Sequence, residues 1–364
     1  MAVSVGIVGL PNVGKSTLFN ALTKAGAASA NYPFCTVEPN VGVVPVPDSR
    51  LEEIHAFIPT DRVLCATVDI VDIAGLVKGA SKGEGLGNRF LANIRETDAI
   101  LMVVRCFEDE DVVHVSGSVD PLRDIETIEL ELILADYGSM EKRLKRLQAN
   151  ARGNKDGGKP RLAVAEKIIP HLNEGLPVRT LELTPAERLE AQGFFLLSSK
   201  PVLYCCNVGE GALPAGNAHS ATVAKHAASV CSEVVIVSGA IEEELSGLEG
   251  EDHKELLEAY GLAEPAINSL TRGCYRLLGL RSYFTAGEIE IRAWTIHAGD
   301  TAPKAAAVIH DDFERGFIRA QIYDLDDLKE YGSEAAIKAA GKLRSEGKSY
   351  VVQDGDIVHF LFNV

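Results

Sequence analysis

The chain has 364 residues, 46% of them hydrophobic, and 36 Lys and Arg against 52 Asp and Glu leave a formal net charge of −16. That length predicts two or three folding units, and the acidic balance excludes a protein that coats DNA indiscriminately. No apolar run approaches the roughly 20 residues of a membrane helix, so we expect no membrane span and no membrane partner, and seven scattered cysteines without Cys-x-x-Cys spacing argue against a disulfide framework and a structural zinc site.

The N-terminal stretch MAVSVGIVGLPN carries no basic leader or small-residue cleavage site, so we expect no signal peptide and a cytoplasmic chain. Its apolar run reads as a buried strand that leads into Gly9-Leu10-Pro11-Asn12-Val13-Gly14-Lys15-Ser16-Thr17. This is G-x-x-x-x-G-K-[ST] between a strand and a helix expected over about Lys15 to Lys24, the context in which that pattern holds a nucleoside triphosphate. The glycines let successive N–H groups face phosphate oxygens, and the helix adds its positive N-terminal end. Asn12, Val13, Gly14, Lys15, Ser16 and Thr17 are therefore candidate nucleotide contacts. Lys15 would reach the outer phosphates, and the Ser16 hydroxyl would ligate Mg²⁺.

Next comes Tyr32-Pro33-Phe34-Cys35-Thr36-Val37-Glu38-Pro39-Asn40, where Thr36 is placed to complete the Mg²⁺ shell. Cys35 beside it is either a redox-sensitive thiol or a small apolar residue. A second strand-like run, Ala66–Val71, ends in Asp72-Ile73-Ala74-Gly75. Asp72 would hold Mg²⁺ through water, and the Gly75 N–H would sense the terminal phosphate. The position where many switch GTPases carry a water-orienting Gln is Leu76, so we expect slow intrinsic hydrolysis. Two groups stand as substitutes: His114, in the acidic stretch Phe107–Val115, and Asn12, through a bound K⁺.

From about residue 129 to 199 the pattern turns helical, with Leu130, Leu132, Leu134, Tyr137, Met140, Leu144 and Leu147 forming a stripe. A Gly-rich break at 153–160 precedes a second helix over Arg161–Asn173, and Thr184-Pro185-Ala186-Glu187 is a capping box that starts a third. The tip of this inserted hairpin is basic (Lys142, Arg143, Lys145, Arg146, Arg152, Lys155, Lys159, Arg161) and reads either as an RNA or ribosome contact or as a solvated helix face.

The strand Pro201–Cys206 then leads into Asn207-Val208-Gly209-Glu210, where a guanine-reading loop would carry Asn-Lys-x-Asp. Val208 lacks the long stem that covers a base, and Glu210 is one methylene too long for the guanine N–H groups. The Asn207 amide carries both a donor and an acceptor and suits adenine N7 and N6. ATP is the expected ligand, with GTP as the alternative. Val234–Val237 ends in Ser238-Gly239-Ala240, which would close over the base. From about residue 280 the runs shorten. Glu288–Trp294 alternates like a strand, Thr301-Ala302-Pro303 opens a helix through Phe313, and Tyr350–Val352 with Ile357–Phe362 reads as a closing hairpin around Asp354-Gly355.

GLPNVGKST, NYPFCTVEPNVG, DIAGLVKGASKGEGLGNRFL and NVGE together resemble the YchF group, or Obg-like ATPases, within the Obg branch of translation-factor-related P-loop NTPases. The resemblance spans essentially the whole chain. It implies an α/β P-loop NTPase domain of G-domain type, with a doubly wound sheet, over 1–128 and 200–279. It also implies a helical insert over 129–199 and a TGS β-grasp domain over 280–364. It further implies ATP preference through Asn-x-x-Glu and a functionally important histidine in the segment of His114. We expect a monomer that acts on the ribosome or another translation-related partner. Two alternatives stay open: a GTPase with a degenerate base loop, and an ATP-gated RNA- or ribosome-binding adaptor with incidental hydrolysis.

Overall fold

A computed structural model describes residues 3–29, 40–73, 86–109, 114, 117–153 and 158–363. The readings for Cys35, Thr36, Gly75, Leu76 and Lys155 fall outside the described residues. The first strands are β1 (Ser4–Val8), β2 (Val41–Val46), β3 (Val63–Leu64), β4 (Ala66–Asp72), β5 (Ala99–Arg105), β6 (Val202–Asn207) and β7 (Val234–Val237). Then follow β8 (Leu280–Ala286), β9 (Ile291–His297), β10 (Phe317–Tyr323), β11 (Arg344–Glu346) and β12 (Ile357–Phe362). The chain forms two compact units, Met1–Val43 with Asp69–Cys274, and Val44–Val68 with Tyr275–Val364.

The first unit is built on a sheet of order β2-β4-β1-β5-β6-β7. β1 pairs in parallel with both β4 and β5, β5 with β6, and β6 with β7. Every residue of β5 and β6 is buried, which is why these runs are continuously apolar rather than alternating. The glycine-rich loop leaves β1 and feeds a helix over Lys15–Ser29, longer than expected.

The insert is carried by one 32-residue helix, Pro121–Arg152, capped by the Asp120 side chain with Pro121 in its first turn. It packs on the helix Gly158–Asn173 through Met140, Leu147, Val164, Ala165, Ile168 and Leu172. The Thr184 capping box forms as predicted and starts the helix Pro185–Gln192. Two members of the expected stripe do not belong to this core, because Leu130 and Leu134 are 50% and 43% exposed. The buried ridge instead runs through Ile133, Met140 and Leu147. Buried Asp136 fastens the long helix to the chain just before β6, accepting from the backbone N–H groups of Leu197 (2.9 Å) and Ser198 (2.7 Å).

The second unit has a sheet of order β11-β10-β12-β8-β9-β3. β8 and β9 form an antiparallel hairpin, and β12 lies between β10 (antiparallel) and β8 (parallel). The helix Ala302–Ile309 packs on the sheet core formed by Tyr283, Ile296, Ala320, Ile322 and Val358, which is a β-grasp arrangement. Residues 63–64, expected with the nucleotide domain, pair with Ile291–Arg292 in this sheet.

Two local expectations are corrected. The helix expected through Phe313 is two helices, Ala302–Ile309 and Asp311–Arg315. His310 between them is extended, and its Nδ1 accepts from the Asp312 N–H to start the second. Tyr350–Val352 does not form a hairpin with β12, and Val351 makes only an isolated bridge to Thr301. The side chains that look like turn formers hold other segments: Asp354 accepts from the Ser282 N–H, and Asp356 accepts from the Tyr350 hydroxyl and the Gln353 N–H.

Candidate nucleotide site

Parallel pairing aligns the carboxyl ends of five strands, with Ile7 opposite Asp72, Arg105 opposite Asn207, and Asn207 opposite Val237. The residues that follow these ends therefore converge on one edge of the sheet, where open α/β sheets bind ligands. Two cavities lie there. One, of about 610 Å³, is lined by Leu10, Pro11, Asn12, Gly14, Lys15, Ser16, Thr17 and Asp72. The other, of about 490 Å³, is lined by Asn12, Gly14 and Thr17 again, with Phe107, Asn207, Val208, Glu210, Ser238, Gly239 and Ala240 among its other walls.

The first cavity is the candidate phosphate end. Gly9 is required by close approach rather than by an unusual backbone angle, since a Cβ there would stand 2.8 Å from a Val13 methyl and 2.9 Å from the Val103 carbonyl. Gly14 has φ +87°, and a Cβ on it would collide with the Asn207 amide. The Lys15 ammonium is paired with Asp72. Triphosphate oxygens and a cation are natural replacements for that pair, one taking each partner. Ser16 and Asp72 offer hydroxyl and carboxylate oxygens on the same cavity, a donor set that fits Mg²⁺.

The second cavity is the candidate base end. Asn207 is 5% exposed, and its amide is engaged within the protein. Nδ2 donates to the Val13 carbonyl at 2.9 Å, and Oδ1 accepts from the Gly239 N–H at 2.9 Å. Sequence reasoning gave this side chain to the base alone, whereas here it braces the phosphate loop against the closing loop. Its second Nδ2 hydrogen and second oxygen lone pair remain for a ligand. Val208 is 2% exposed, and Glu210 accepts from the Tyr260 hydroxyl at 3.3 Å.

Sequence reasoning missed the opposite wall. Phe107 lines the base cavity, and the guanidinium of buried Arg105 lies 4.6 Å from its ring centroid. Arg105 also donates from Nε to the Phe107 carbonyl at 3.1 Å and from Nη2 to the Asp109 carbonyl at 3.3 Å. Glu108, Asp109 and Glu243 complete an acidic rim. The one signal for Phe107 was its position just beyond the buried strand β5.

His114 is not among the described residues that line either cavity. It was expected as a loop histidine, yet it is buried, and its Nε2 lies 2.9 Å from Asp124 Oδ2 in the first turn of the long insert helix.

Below the site, Glu242 is 1% exposed, and one carboxylate oxygen accepts from the Ala266 N–H at 2.8 Å. Burial pushes its carboxyl up to about 7, against the opposing pull of the Ala266 and Ile267 amides.

A parallel sheet with a glycine-rich phosphate loop after its central strand, and a base cavity sharing that loop's residues, defines a P-loop NTPase of the GTPase fold. Residues 4–139 match the MMR_HSR1 family, described as 50S ribosome-binding GTPase, and residues 280–363 match YchF-GTPase_C, described as a protein of unknown function (DUF933). The chain is 53% identical over 364 residues to the ribosome-binding ATPase YchF of Pasteurella multocida and 50% identical over 366 residues to that of Bacillus subtilis, with full coverage of both partners in each case. The solved structure of the Schizosaccharomyces pombe YchF GTPase superposes with a TM-score of 0.89 at 38% identity, covering 99% of this chain and 97% of that one. This chain belongs to the YchF family.

Proposed function

We propose that this protein is a ribosome-binding ATPase that uses a slow ATP-to-ADP cycle as a conformational switch. The observation that carries the reading is the sharing of Asn12, Gly14 and Thr17 by the two cavities, so that they adjoin, with Asp72 lining one and Glu210 the other. The phosphate-loop amides, Lys15 and Thr17 would bind the phosphates. Ser16, Thr36 and Asp72 would hold Mg²⁺, which when bound neutralises phosphate charge. Gly75 would report the terminal phosphate. Val208, Glu210, Ser238, Gly239 and Ala240 would enclose the base, with Asn207 both bracing the loops and addressing the base edge. His114 would assist hydrolysis, with K⁺ at Asn12 as the other source of positive charge. A ribosomal partner implies a cytoplasmic location, and the relatives named for ribosome binding support it.

GTP is the second reading. It is favoured by the carboxylates of Glu108, Asp109, Glu210 and Glu243 around the base end, each a possible acceptor for guanine N–H groups, and by the description of the S. pombe protein as a GTPase. Calorimetric titration with ATP and with GTP, in Mg²⁺ buffer containing K⁺ and then Na⁺, separates the two. Tighter ATP binding is expected. Tighter GTP binding would replace the ATPase reading with a GTPase one.

A further inference from the structure

A third cavity, of about 670 Å³, lies on the helical insert away from the nucleotide cleft's lining residues. Its lining includes Leu134, Gly138, Lys142, Arg143 and Arg146 of the long helix, with Phe195 from the turn after the third insert helix. Residues 134, 138, 142 and 146 recur every four positions, so the sequence lays them along one helix face. Two features of this face run against local preference. Gly138 interrupts a long helix where alanine would favour it, and a Cβ there would enter open space. Phe195 holds a large ring 71% exposed to solvent on a backbone with φ +53°, a left-handed angle that a non-glycine residue adopts at a cost. Arg143 supports that turn by donating to the Phe194 carbonyl at 2.7 Å. Lys142 and Arg146 are exposed and form no ion pair with the described residues, in a chain of net charge −16.

We propose that this groove binds single-stranded RNA: an unstacked base lies on Phe195 over the space left by Gly138, and Lys142 and Arg146 take the flanking phosphates. An aromatic platform beside a cationic stripe is how proteins hold unpaired nucleotides, whose bases offer a π-face and whose backbone offers charge. Local cationic charge is what an otherwise acidic protein needs to approach a polyanion. The proposal rests on the ribosome-binding reading and locates one of its RNA contacts.

The test is fluorescence anisotropy of a labelled 12-nucleotide single-stranded RNA with the full-length protein between about 50 and 200 mM salt. Ribosome co-sedimentation and ATP calorimetry run in parallel. Phe195→Ala is expected to weaken RNA binding at least fivefold, as base–aromatic stacking implies, while Phe195→Trp retains it and ATP affinity stays unchanged. Gly138→Leu, which fills the groove without altering charge, is expected to weaken binding comparably. Lys142→Ala with Arg146→Ala is expected to reduce the slope of log affinity on log salt by about 1.4, or 0.7 for each lost phosphate contact. Wild-type RNA affinity in both Phe195→Ala and Gly138→Leu would overturn the proposal, as would an absence of RNA binding by the wild type. Full RNA binding by Phe195→Leu would also overturn it, because apolar contact and not a stacked base would then hold the RNA. Failure of the wild type to co-sediment with ribosomes, with oligonucleotide binding intact, would sink the ribosome reading and leave the groove assignment standing.

Discussion

Replacing Asn207 with alanine separates two roles that one side chain holds. Its amide makes two buried hydrogen bonds of 2.9 Å, to the Val13 carbonyl and from the Gly239 N–H. Truncation leaves both backbone groups without that partner in a site where Asn207 itself is only 5% exposed. An unsatisfied buried polar group costs about 1–3 kcal/mol, so two of them cost about 2–6 kcal/mol unless water enters. We therefore expect Asn207→Ala to lower the urea-unfolding free energy of the apo protein by a few kcal/mol. It should also weaken binding of inorganic triphosphate, which has no base, by tenfold or more, because the phosphate loop loses its brace. Calorimetry with triphosphate and with ATP, beside urea titration of the apo protein, measures each role. Unchanged stability together with unchanged triphosphate affinity, against a large loss for ATP, would refute the brace and leave Asn207 a base reader alone.

The buried carboxyl of Glu242 should make stability depend on pH. Its folded value of about 7 lies above the ordinary 4.5, so the folded state holds the proton more tightly. This contribution is complete below about pH 4.5 and is lost as pH rises through 7, a change of at most about 3 kcal/mol at 1.36 kcal/mol for each unit. Urea midpoints of the wild type should fall relative to Glu242→Gln between pH 5 and 8, and parallel curves would contradict this. His114→Ala should slow ATP hydrolysis while ATP affinity stays within about twofold, and Asp124→Asn should reproduce part of the loss, since Asp124 holds the imidazole at 2.9 Å. A single-turnover rate untouched by His114→Ala would remove that histidine from the mechanism.

The candidate phosphate end was the most legible, because Gly9 to Thr17 are contiguous and most of them line one cavity with Asp72. The base loop was legible only in part. The sequence marks Asn207, Val208 and Glu210, but the bonds that engage Asn207 run to Val13 and Gly239, 194 and 32 residues away. Phe107, with buried Arg105 against its ring, was nearly invisible for the same reason, since its place on the cavity wall follows from the pairing of β5 with β6. Helical spacing predicted the insert but not which face is buried. Leu130 and Leu134 fit the periodicity as well as Met140 does, and only the position of the partner helix Gly158–Asn173 leaves them exposed. The closing hairpin failed because a turn motif cannot tell whether its aspartate serves the turn or, as Asp354 does through the Ser282 N–H, ties down another segment.

These misses share a cause that bears on how the protein works. Asp136 on the insert helix accepts from Leu197 and Ser198 in the turn that precedes β6, and β6 ends at Asn207, which is bonded to Val13 of the glycine-rich loop and to Gly239. One link between the insert helix and the candidate nucleotide cleft is therefore the buried strand β6, with Asp136 bonded to the turn before it and Asn207 bonded at its end. Along that strand no residue is exposed, so closely packed neighbours resist independent movement of either end. No stretch of sequence announces such a link, because its parts are an aspartate in a helix, a serine before a strand and an asparagine after it. The fold alone brings them into one line.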